Sequence, residues 1–333
     1  MAERIRRAAG SWDFLVLVAL VLVVVIGAVS IEGVASPRFW RFVILEAIPI
    51  AVIALPLTLL IITGEIDLSV ASVLGLSCTV MGKLWASGVH SLPVLVLVCL
   101  ALGVLCGAVN GLFVTRFGLP SLAVTIGTLA LYRGLAYVTL GDKAIADYPT
   151  SWTDGAVAPI PGLTIPWMII VVAVLAILFA VVLHATPVGR GLYAIGNNDE
   201  ASRFAGVAVG KTKFWLFVAT GAMSALAGIF WTLRFASARA DNGNGLELAV
   251  IAAVLLGGVS IFGGRGGLLG VVGAVVLLGV LRNALQLADV PANALTIVTG
   301  SLLIASVVGP NAVAIARARL RRRRPTTSIP TTP

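Results

Sequence analysis

The chain has 333 residues, of which 59% are hydrophobic and only 11% are charged, and its mean hydropathy is +1.07. Soluble domains carry about 25% charged residues, so this composition excludes a water-soluble enzyme, a disordered protein and a soluble nucleic-acid-binding domain. The formal net charge is +9, and basic clusters at both ends, including Arg321–Arg324, are expected to meet anionic lipid headgroups rather than nucleic acid.

Apolar runs predict about ten membrane spans, because a spanning helix needs ~20 apolar residues. The spans of the first half lie near Phe14–Ser30, Phe42–Ile62, Leu68–Ala86, Leu92–Val114 and Leu119–Leu140. Those of the second half lie near Thr164–Ala185, Phe214–Phe235, Leu246–Phe262, Gly267–Leu287 and Ala292–Ala316. The apolar core of the first run is longer than that of a signal peptide and further spans follow it, so we predict a retained signal anchor.

The fold class predicted from these runs is an all-α polytopic membrane protein. Residues 1–316 form a single transmembrane domain, in which residues 186–213 are the one sizeable cytoplasmic loop, and residues 317–333 form a basic cytoplasmic tail. The short linkers around Thr63–Asp67 and Gly263–Gly266 are candidates for re-entrant segments.

Orientation follows from the loop charges. An even number of spans puts both termini on one side of the membrane, and the positive-inside rule makes that side cytoplasmic. Residues 140–163, predicted outside, carry three aspartates and one lysine. Residues 186–213, predicted inside, carry four basic and two acidic side chains. Both loops therefore agree with the ten-span topology.

Three short motifs occur in the same order in both halves, at separations of 171 to 180 residues. The pairs are Asp67–Val70 with Glu247–Val250, Asn110–Leu112 with Asn283–Leu285, and the segment after Pro120 with the segment after Pro291. The third and eighth spans run in opposite directions, so this pattern predicts an inverted repeat, an architecture typical of transport proteins. Chance similarity among Leu- and Val-rich helices is the alternative.

Glycines follow two patterns. Gly103, Gly107 and Gly111 recur every four residues along the fourth span, which lets a neighbouring helix approach closely, so we interpret them as a packing stripe. Six glycines lie within residues 257–267. We interpret them as a tight turn between two spans, because no soluble βαβ unit surrounds them to form a nucleotide loop.

Residues 205–212 read Ala-Gly-Val-Ala-Val-Gly-Lys-Thr and match a relaxed P-loop pattern. A working P-loop needs a strand before it, a helix after it and an acidic partner for magnesium. A charged segment precedes this one and a span follows it, so we predict no ATP binding by this chain. The three cysteines lie in apolar runs and the two histidines at span edges, which predicts neither a metal site nor histidine-based catalysis.

The cytoplasmic loop contains the pattern of a short helix. Asn197 can cap its N-terminus, Glu200 lies three residues later, where its side chain can complete a capping box, and Gly206 can end the helix. A helix of about two turns on an otherwise bare face suits docking to another subunit. An ordinary connecting loop is the alternative.

Several long motifs, in order along most of the chain, resemble those of one transporter family. They are Gly64–Val70, Asn110–Gly111, Pro120–Thr128 with Arg133–Gly134, Gly189–Ala201, Glu247–Val254 and Gly257–Gly266. The family is that of the ribose-type ABC importer permeases, which serve ribose, xylose, arabinose, galactose, rhamnose and autoinducer-2. Glu65 departs from the pattern, since a glycine is more usual before Ile-Asp-Leu-Ser.

The resemblance implies a permease subunit without a cofactor of its own. ATP and magnesium would be held by a separate ATP-binding subunit, on which the helix at Asn197–Gly206 would sit as a coupling helix. The residues that this assigns to coupling are Gly196, Asn197, Asn198, Glu200, Ala201 and Gly206. The resemblance also implies a dimer of permease chains, identical or not, in a bacterial inner membrane, supplied by an extracytoplasmic solute-binding protein.

Four polar residues in or beside the spans are candidates for the translocation path: Asp67, Asn110, Arg133 and Glu247. Polar and ionisable side chains are costly in a bilayer, which makes them functional candidates. Arg133 and Arg234 lie toward the outer ends of their spans, and snorkelling to the interface is the competing interpretation for both.

The predicted function is therefore translocation of a monosaccharide or sugar-like solute, rather than catalysis. A self-sufficient ion-coupled transporter is one alternative, and its sequence would be expected to contain paired carboxylates in mid-span. An integral-membrane enzyme is the other alternative, and its sequence would be expected to contain an Asp-rich or His-bearing motif at the membrane interface.

Overall fold

A computed structural model describes residues 12–291 and the single positions 294, 297, 298, 300, 301, 304 and 308. Over these residues the regular structure is α-helical, with two isolated β-bridges. The helices of the first half are α1 (Trp12–Ser30), α2 (Pro37–Ile62), α3 (Val70–Ala86), α4 (Leu92–Arg116) and α5 (Ser121–Leu140). They are followed by α6 (Thr150–Val157), α7 (Met168–Ala185), α8 (Pro187–Asn197), α9 (Asp199–Phe204), α10 (Val209–Phe235), α11 (Leu246–Leu256) and α12 (Leu268–Leu287).

Seven of the described helices are long and apolar enough to cross a membrane, namely α1, α2, α4, α5, α7, α10 and α12. Two more apolar helices, α3 and α11, are shorter, with 17 and 11 residues. The prediction of an all-α polytopic membrane protein is confirmed. Most of the tenth predicted span, near Ala292–Ala316, and all of the basic tail lie outside the described residues, so the count of ten stays a prediction.

The centre of the bundle is formed by α2 and α10, the two most buried of the long helices. α10 packs against α2, α3 and α4, whereas α2 also packs against α7, α11 and α12. α1 and α7 bury little of their apolar surface inside the protein, and a helix that is apolar all round suits a lipid environment. One central helix from each half therefore joins the two halves.

The glycine stripe of α4 packs directly on another helix, as predicted, and that helix is α10. A Cβ atom added at Gly103 would overlap the carbonyl oxygen of Gly221, and one added at Gly107 would overlap that of Phe217. At Gly111 the added atom would lie 3.0 Å from the Phe214 ring. Association of helices in lipid rests on packing, so the stripe lets the two backbones meet where side chains would hold them apart.

The bundle has two ends. One end, the loop face, carries residues 186–208 and the end of α2, where the amide of Gly264 donates to the carbonyl of Ile62 at 2.9 Å. The other end, the far face, carries residues 141–167 and 236–245, which meet in a bridge between Ile145 and Ala238. The basic and acidic loops thus lie at opposite ends, as the predicted topology requires. Which end is cytoplasmic stays a prediction.

The eighth predicted span is wrong at its end, because α11 stops at Leu256 rather than continuing to Phe262. Gly257 follows the helix and lies so close to the backbone of Val271 that a side chain would not fit. Gly258 then takes a φ of +90°, a conformation that favours glycine. Eleven helical residues rise about 17 Å, against a hydrocarbon core of ~30 Å. α11 alone is therefore too short to cross that core, and irregular backbone in the segments 236–245 and 257–267 flanks it.

Candidate functional site

The predicted docking helix lies on the loop face as two short helices that join at Asn198. Asn198 caps α9, and its side chain accepts a hydrogen bond from the amide of Ala201 at 2.8 Å. The prediction that Asn197 is the cap is therefore wrong by one residue. Asn197 ends α8 and donates its side-chain amide to the carbonyl of Tyr193 at 2.7 Å. α9 has six residues, and Gly206 follows it with a φ of +85°, as the sequence predicts.

Gly196 allows these two helices to pack closely against the transmembrane bundle. A Cβ atom at this position would overlap the carbonyl of Ile62 at the end of α2 and the amide of Gly264 in the turn before α12. In the same turn the carbonyl of Gly266 accepts a hydrogen bond from the Tyr193 hydroxyl at 2.8 Å. α8 therefore contacts both halves of the chain at once, so a displacement of α8 reaches both.

The outer side of α9 is exposed. Glu200, Ala201 and Phe204 face away from the bundle, and Phe204 is 86% exposed. Ser202, on the inner side, is buried. Aromatic side chains are common anchors of protein interfaces. The docking role of α9 stays a prediction, and its outer side is left exposed within the described chain.

A cluster of four charged side chains lies where α9 meets the bundle. Lys213, at the foot of α10, donates to Glu65 at 2.7 Å and to Asp199 at 3.3 Å. Asp199 also pairs with Arg203, one turn along α9, at 3.4 Å. These four side chains line a cavity of about 480 Å³ on the loop face, together with residues 114–120. Glu65, whose effect the sequence leaves open, is thus linked through Lys213 to α9.

Asp67 and Asn110, two of the predicted path residues, lie together in a buried polar network. The Asp67 carboxylate accepts hydrogen bonds from the Ser69 amide at 2.9 Å, the Ser69 hydroxyl at 2.7 Å and the Thr220 hydroxyl at 3.0 Å. Asn110 donates to the Ser69 hydroxyl at 2.8 Å and accepts from Tyr132 at 3.5 Å. The network joins the start of α3 to α4, α5 and α10. In this conformation it holds helices together.

Arg133 and Glu247, the other two predicted path residues, lie nearer the far face. The Arg133 guanidinium donates to the carbonyls of Ala71, Ala240 and Asn242 at 3.1, 2.7 and 2.9 Å. Snorkelling is therefore the wrong interpretation for Arg133, because its donors are engaged inside the protein. Irregular backbone at membrane depth needs such partners, since lipid supplies none. The negative charge of Glu247, in the first turn of α11, attracts this guanidinium.

Two further arginine contacts lie toward the far face. Arg234 donates to the carbonyl of Leu45 at 2.7 Å, so it too binds backbone within the bundle rather than snorkelling. In the segment before α11, Arg239 donates to both carboxylate oxygens of Asp241, at 2.9 and 3.1 Å. The hydrogen bonds and charge of Arg239 hold the pKa of Asp241 below its usual range, so this carboxylate stays charged.

The P-loop look-alike at residues 205–212 covers the turn between α9 and α10 and the first turn of α10. A helix precedes it where a P-loop has a strand. Lys211 is exposed in the first turn of α10, and the neighbouring Lys213 is engaged by two carboxylates. The local fold of this segment therefore differs from that of a phosphate-binding loop.

Sequence reasoning missed the residues at the centre of the two networks. In the sequence, Lys213 counts only as one of several basic residues of the loop. Glu65 offers a clue, because an acid in place of the usual glycine needs a cation nearby. Thr220 and Tyr132 carry no such signal. Hydroxyl side chains are frequent in spans, and only the packing of the helices determines which of them meet.

The chain is similar in sequence to membrane permease proteins. The family model described as "Branched-chain amino acid transport system / permease component" matches residues 40–307. The autoinducer 2 import system permease protein LsrD of Escherichia coli O157:H7 is 36% identical over 302 residues, which cover 87% of this chain and 90% of that protein. Proteins of the same name from Yersinia enterocolitica and Photorhabdus laumondii are both 34% identical, over 90% of this chain and 91% and 90% of their own. No solved structure matches the chain.

Proposed function

Because the chain belongs to the family of permease components of branched-chain amino acid transport systems, we propose that it is the membrane subunit of an ABC importer. A separate ATP-binding subunit holds ATP and magnesium and performs hydrolysis. This chain holds no cofactor and converts the movement of that subunit into alternating access. The sequence similarity to import permeases favours this function over an ion-coupled transporter or a membrane enzyme.

The observation that carries the proposal is the way in which α8 and α9 contact the bundle on the loop face. Gly196 puts α8 against both halves, and the outer side of α9 is exposed. Lys213 links α9 to the segment that leads into the Asp67 network. A partner that moves α9 therefore acts on α2, α3 and α10 together. The proposed coupling residues are Gly196, Asn197, Asn198, Glu200, Ala201 and Gly206.

We propose a monosaccharide or sugar-like solute as the cargo. The similar permeases from three bacteria are named for autoinducer 2 import, and the similarity extends over about nine-tenths of the chain. The motifs around Gly64–Val70 and Gly189–Ala201 resemble those of ribose-type permeases. These two likenesses favour a sugar-like solute over the amino acids in the family description.

The translocation path is assigned to the interrupted helices. In transporters, substrate sites lie near the bilayer midplane beside discontinuous spans. Arg133 and Glu247 lie beside the irregular segment 236–245, so we assign them to the wall of the path. Asp67 and Asn110 lie at the other interruption, before α3, and we assign them to the contacts that hold one conformation of the path.

The loop face is assigned to the cytoplasm of a bacterial cell with the chain in its inner membrane, because the basic loop lies there and positive loops stay inside. The far face would then receive the solute-binding protein. A second permease chain, identical or related, completes the proposed importer.

Co-purification tests the proposal. We expect the wild-type chain to retain an ATP-binding subunit from its own cell membranes, and Ala201→Arg to lose it, because a long charged side chain then stands on the docking surface. A loss of about 2.8 kcal/mol weakens association about a hundredfold. Ala144→Arg is the matched control, since Ala144 is exposed on the far face. Equal retention by both variants would contradict the proposal.

A further inference from the structure

A cavity of about 960 Å³ opens on the far face, between the start of α2, the segment 157–164 and the end of α10. Three arginines line it, namely Arg38, Arg41 and Arg234, and its described lining contains no carboxylate. The apolar part of the lining is Pro37, Phe42, Leu45, Val157, Pro159, Leu163 and Phe235. The coupling contact and the assigned path use none of these residues.

The two inner arginines have unused hydrogen-bonding capacity. Arg41 donates through Nη2 to the carbonyl of Val157 at 3.0 Å, while its buried Nε has no partner within the described part of the chain. Arg234 donates through Nη1 to the carbonyl of Leu45 at 2.7 Å. A guanidinium carries five N–H donors, and a buried donor without an acceptor is costly. The cavity is therefore short of acceptors.

The cavity is also short of negative charge. Glu46 acts electrostatically on Arg234, but its carboxylate is already bound by Arg282 at 3.3 Å and by the side-chain amide of Asn283 at 2.7 Å. Arg38 is exposed at the rim, with its guanidinium 5.9 Å from the Phe42 ring centre. Three cations around one space favour an anionic ligand.

The apolar lining indicates what kind of anion fits. Phe42, Leu163 and Phe235 are about half exposed, and α7, which begins just after the cavity wall, has few fully buried residues and leaves one side exposed. Apolar side chains at the edge of a bilayer meet acyl chains, and the planar guanidinium group of arginine matches the geometry of a phosphate. A small free anion would satisfy the arginines but leave this apolar surface uncovered.

We propose that this cavity binds the phosphate group of an anionic phospholipid. Arg41 and Arg234 donate to the phosphate oxygens in the charge-assisted manner typical of guanidinium groups. Arg38 closes the rim, and an acyl chain lies along Phe42 and Leu163. The bound headgroup joins α2, the segment before α7 and α10.

Native mass spectrometry of the purified full-length chain tests the proposal, with phosphatidylglycerol and phosphatidylcholine of the same acyl chains as probes. We expect the wild type to retain phosphatidylglycerol about tenfold better. Arg38→Gln should lower this preference about fivefold, and it leaves intact the carbonyl contacts of Arg41 and Arg234 that tie helices together. Arg239→Gln makes the same charge change on the same face, outside the cavity, and should leave the preference unchanged.

Three results would overturn the proposal. Equal retention of the two lipids by the wild type would do so without any variant. An equal loss in Arg38→Gln and Arg239→Gln would assign the preference to general surface charge. Retention of inorganic phosphate, supplied in place of lipid, at the same arginines and without phosphatidylglycerol binding would mean a free-anion site.

Discussion

Lys213 holds together three parts of the loop face. It pairs with Glu65 from the segment between α2 and α3 and with Asp199 of α9, and it lies in the second turn of the central helix α10. Without this cation the two carboxylates would face each other in a partly buried site, where like charges repel. The pairing explains why an acid can occupy position 65.

We expect Lys213→Ala to reduce the free energy of unfolding by about 1–3 kcal/mol, between the values for exposed and buried ion pairs. The cause is the loss of the only cation within ion-pair distance of Glu65 in the described part of the chain. Thermal unfolding of the purified chain in detergent measures the change. Lys211→Ala removes an exposed lysine two residues away and should leave the unfolding midpoint unchanged. A similar midpoint for the two variants would mean that the ion pair contributes nothing.

Thr220 supports the buried carboxylate of Asp67. We expect Thr220→Val to cost about 1–3 kcal/mol, because the buried Asp67 carboxyl group loses the hydroxyl partner from α10. Thr58→Val is the control: Thr58 is also buried in a central helix, but its hydroxyl donates only to its own helix, at the carbonyl of Ala54. If both valine variants unfold at the same temperature, Thr220 does not stabilise Asp67.

Among the elements, the contact between α4 and α10 depends on the absence of side chains along one stripe. The sequence predicts this stripe correctly, because glycines at every fourth position have few other uses within a span. It cannot predict which helix covers the stripe, since that depends on contacts between residues more than a hundred positions apart.

We expect Gly107→Ala to destabilise the chain by about 1–3 kcal/mol, the usual cost of forcing extra atoms into a packed site. The added methyl group would meet the carbonyl of Phe217. Gly127→Ala makes the same change in α5, where an added Cβ has no neighbour within 4 Å, and should be neutral or slightly stabilising because alanine favours helices. Denaturant unfolding of both variants decides the matter, and a neutral Gly107→Ala would refute the packing role.

Element ends are harder to predict than elements. The spans follow from composition, because the bilayer demands long apolar helices. The end of α11 at Leu256 does not, because Phe262 and the residues before it are apolar enough to continue a span. The turn is set by the close approach of Gly257 to Val271. The cap at Asn198 was equally hidden, since Asn197 beside it has the same side chain.

At the scale of the whole molecule, each central helix packs against the opposite half. α10 contacts α3 and α4, and α2 contacts α11 and α12. An inverted repeat in which α2 corresponds to α10 has this reciprocal arrangement, so the contacts agree with the predicted repeat, which itself stays a prediction. Asp67 and Glu247, equivalent in the repeat, both lie at the start of an apolar helix that is too short to be a full span.

Reporter fusions test the predicted topology. We expect fusions after Arg7 and Arg317, both outside the described residues, to report a cytoplasmic location, and one at Asp147 on the far face to report the opposite side. The reason is the distribution of basic residues between the loops. A cytoplasmic Asp147 would refute the ten-span topology and the inverted repeat with it.

The central claim is that ATP hydrolysis on a partner drives this permease through α9. Uptake into proteoliposomes that contain the permease, its ATP-binding subunit and its solute-binding protein tests this claim most directly. With labelled ribose or autoinducer 2 as cargo, we predict uptake that requires ATP in the wild type and is absent from a fully inserted Ala201→Arg variant. Uptake driven by an ion gradient without ATP, or unchanged in Ala201→Arg, would contradict it.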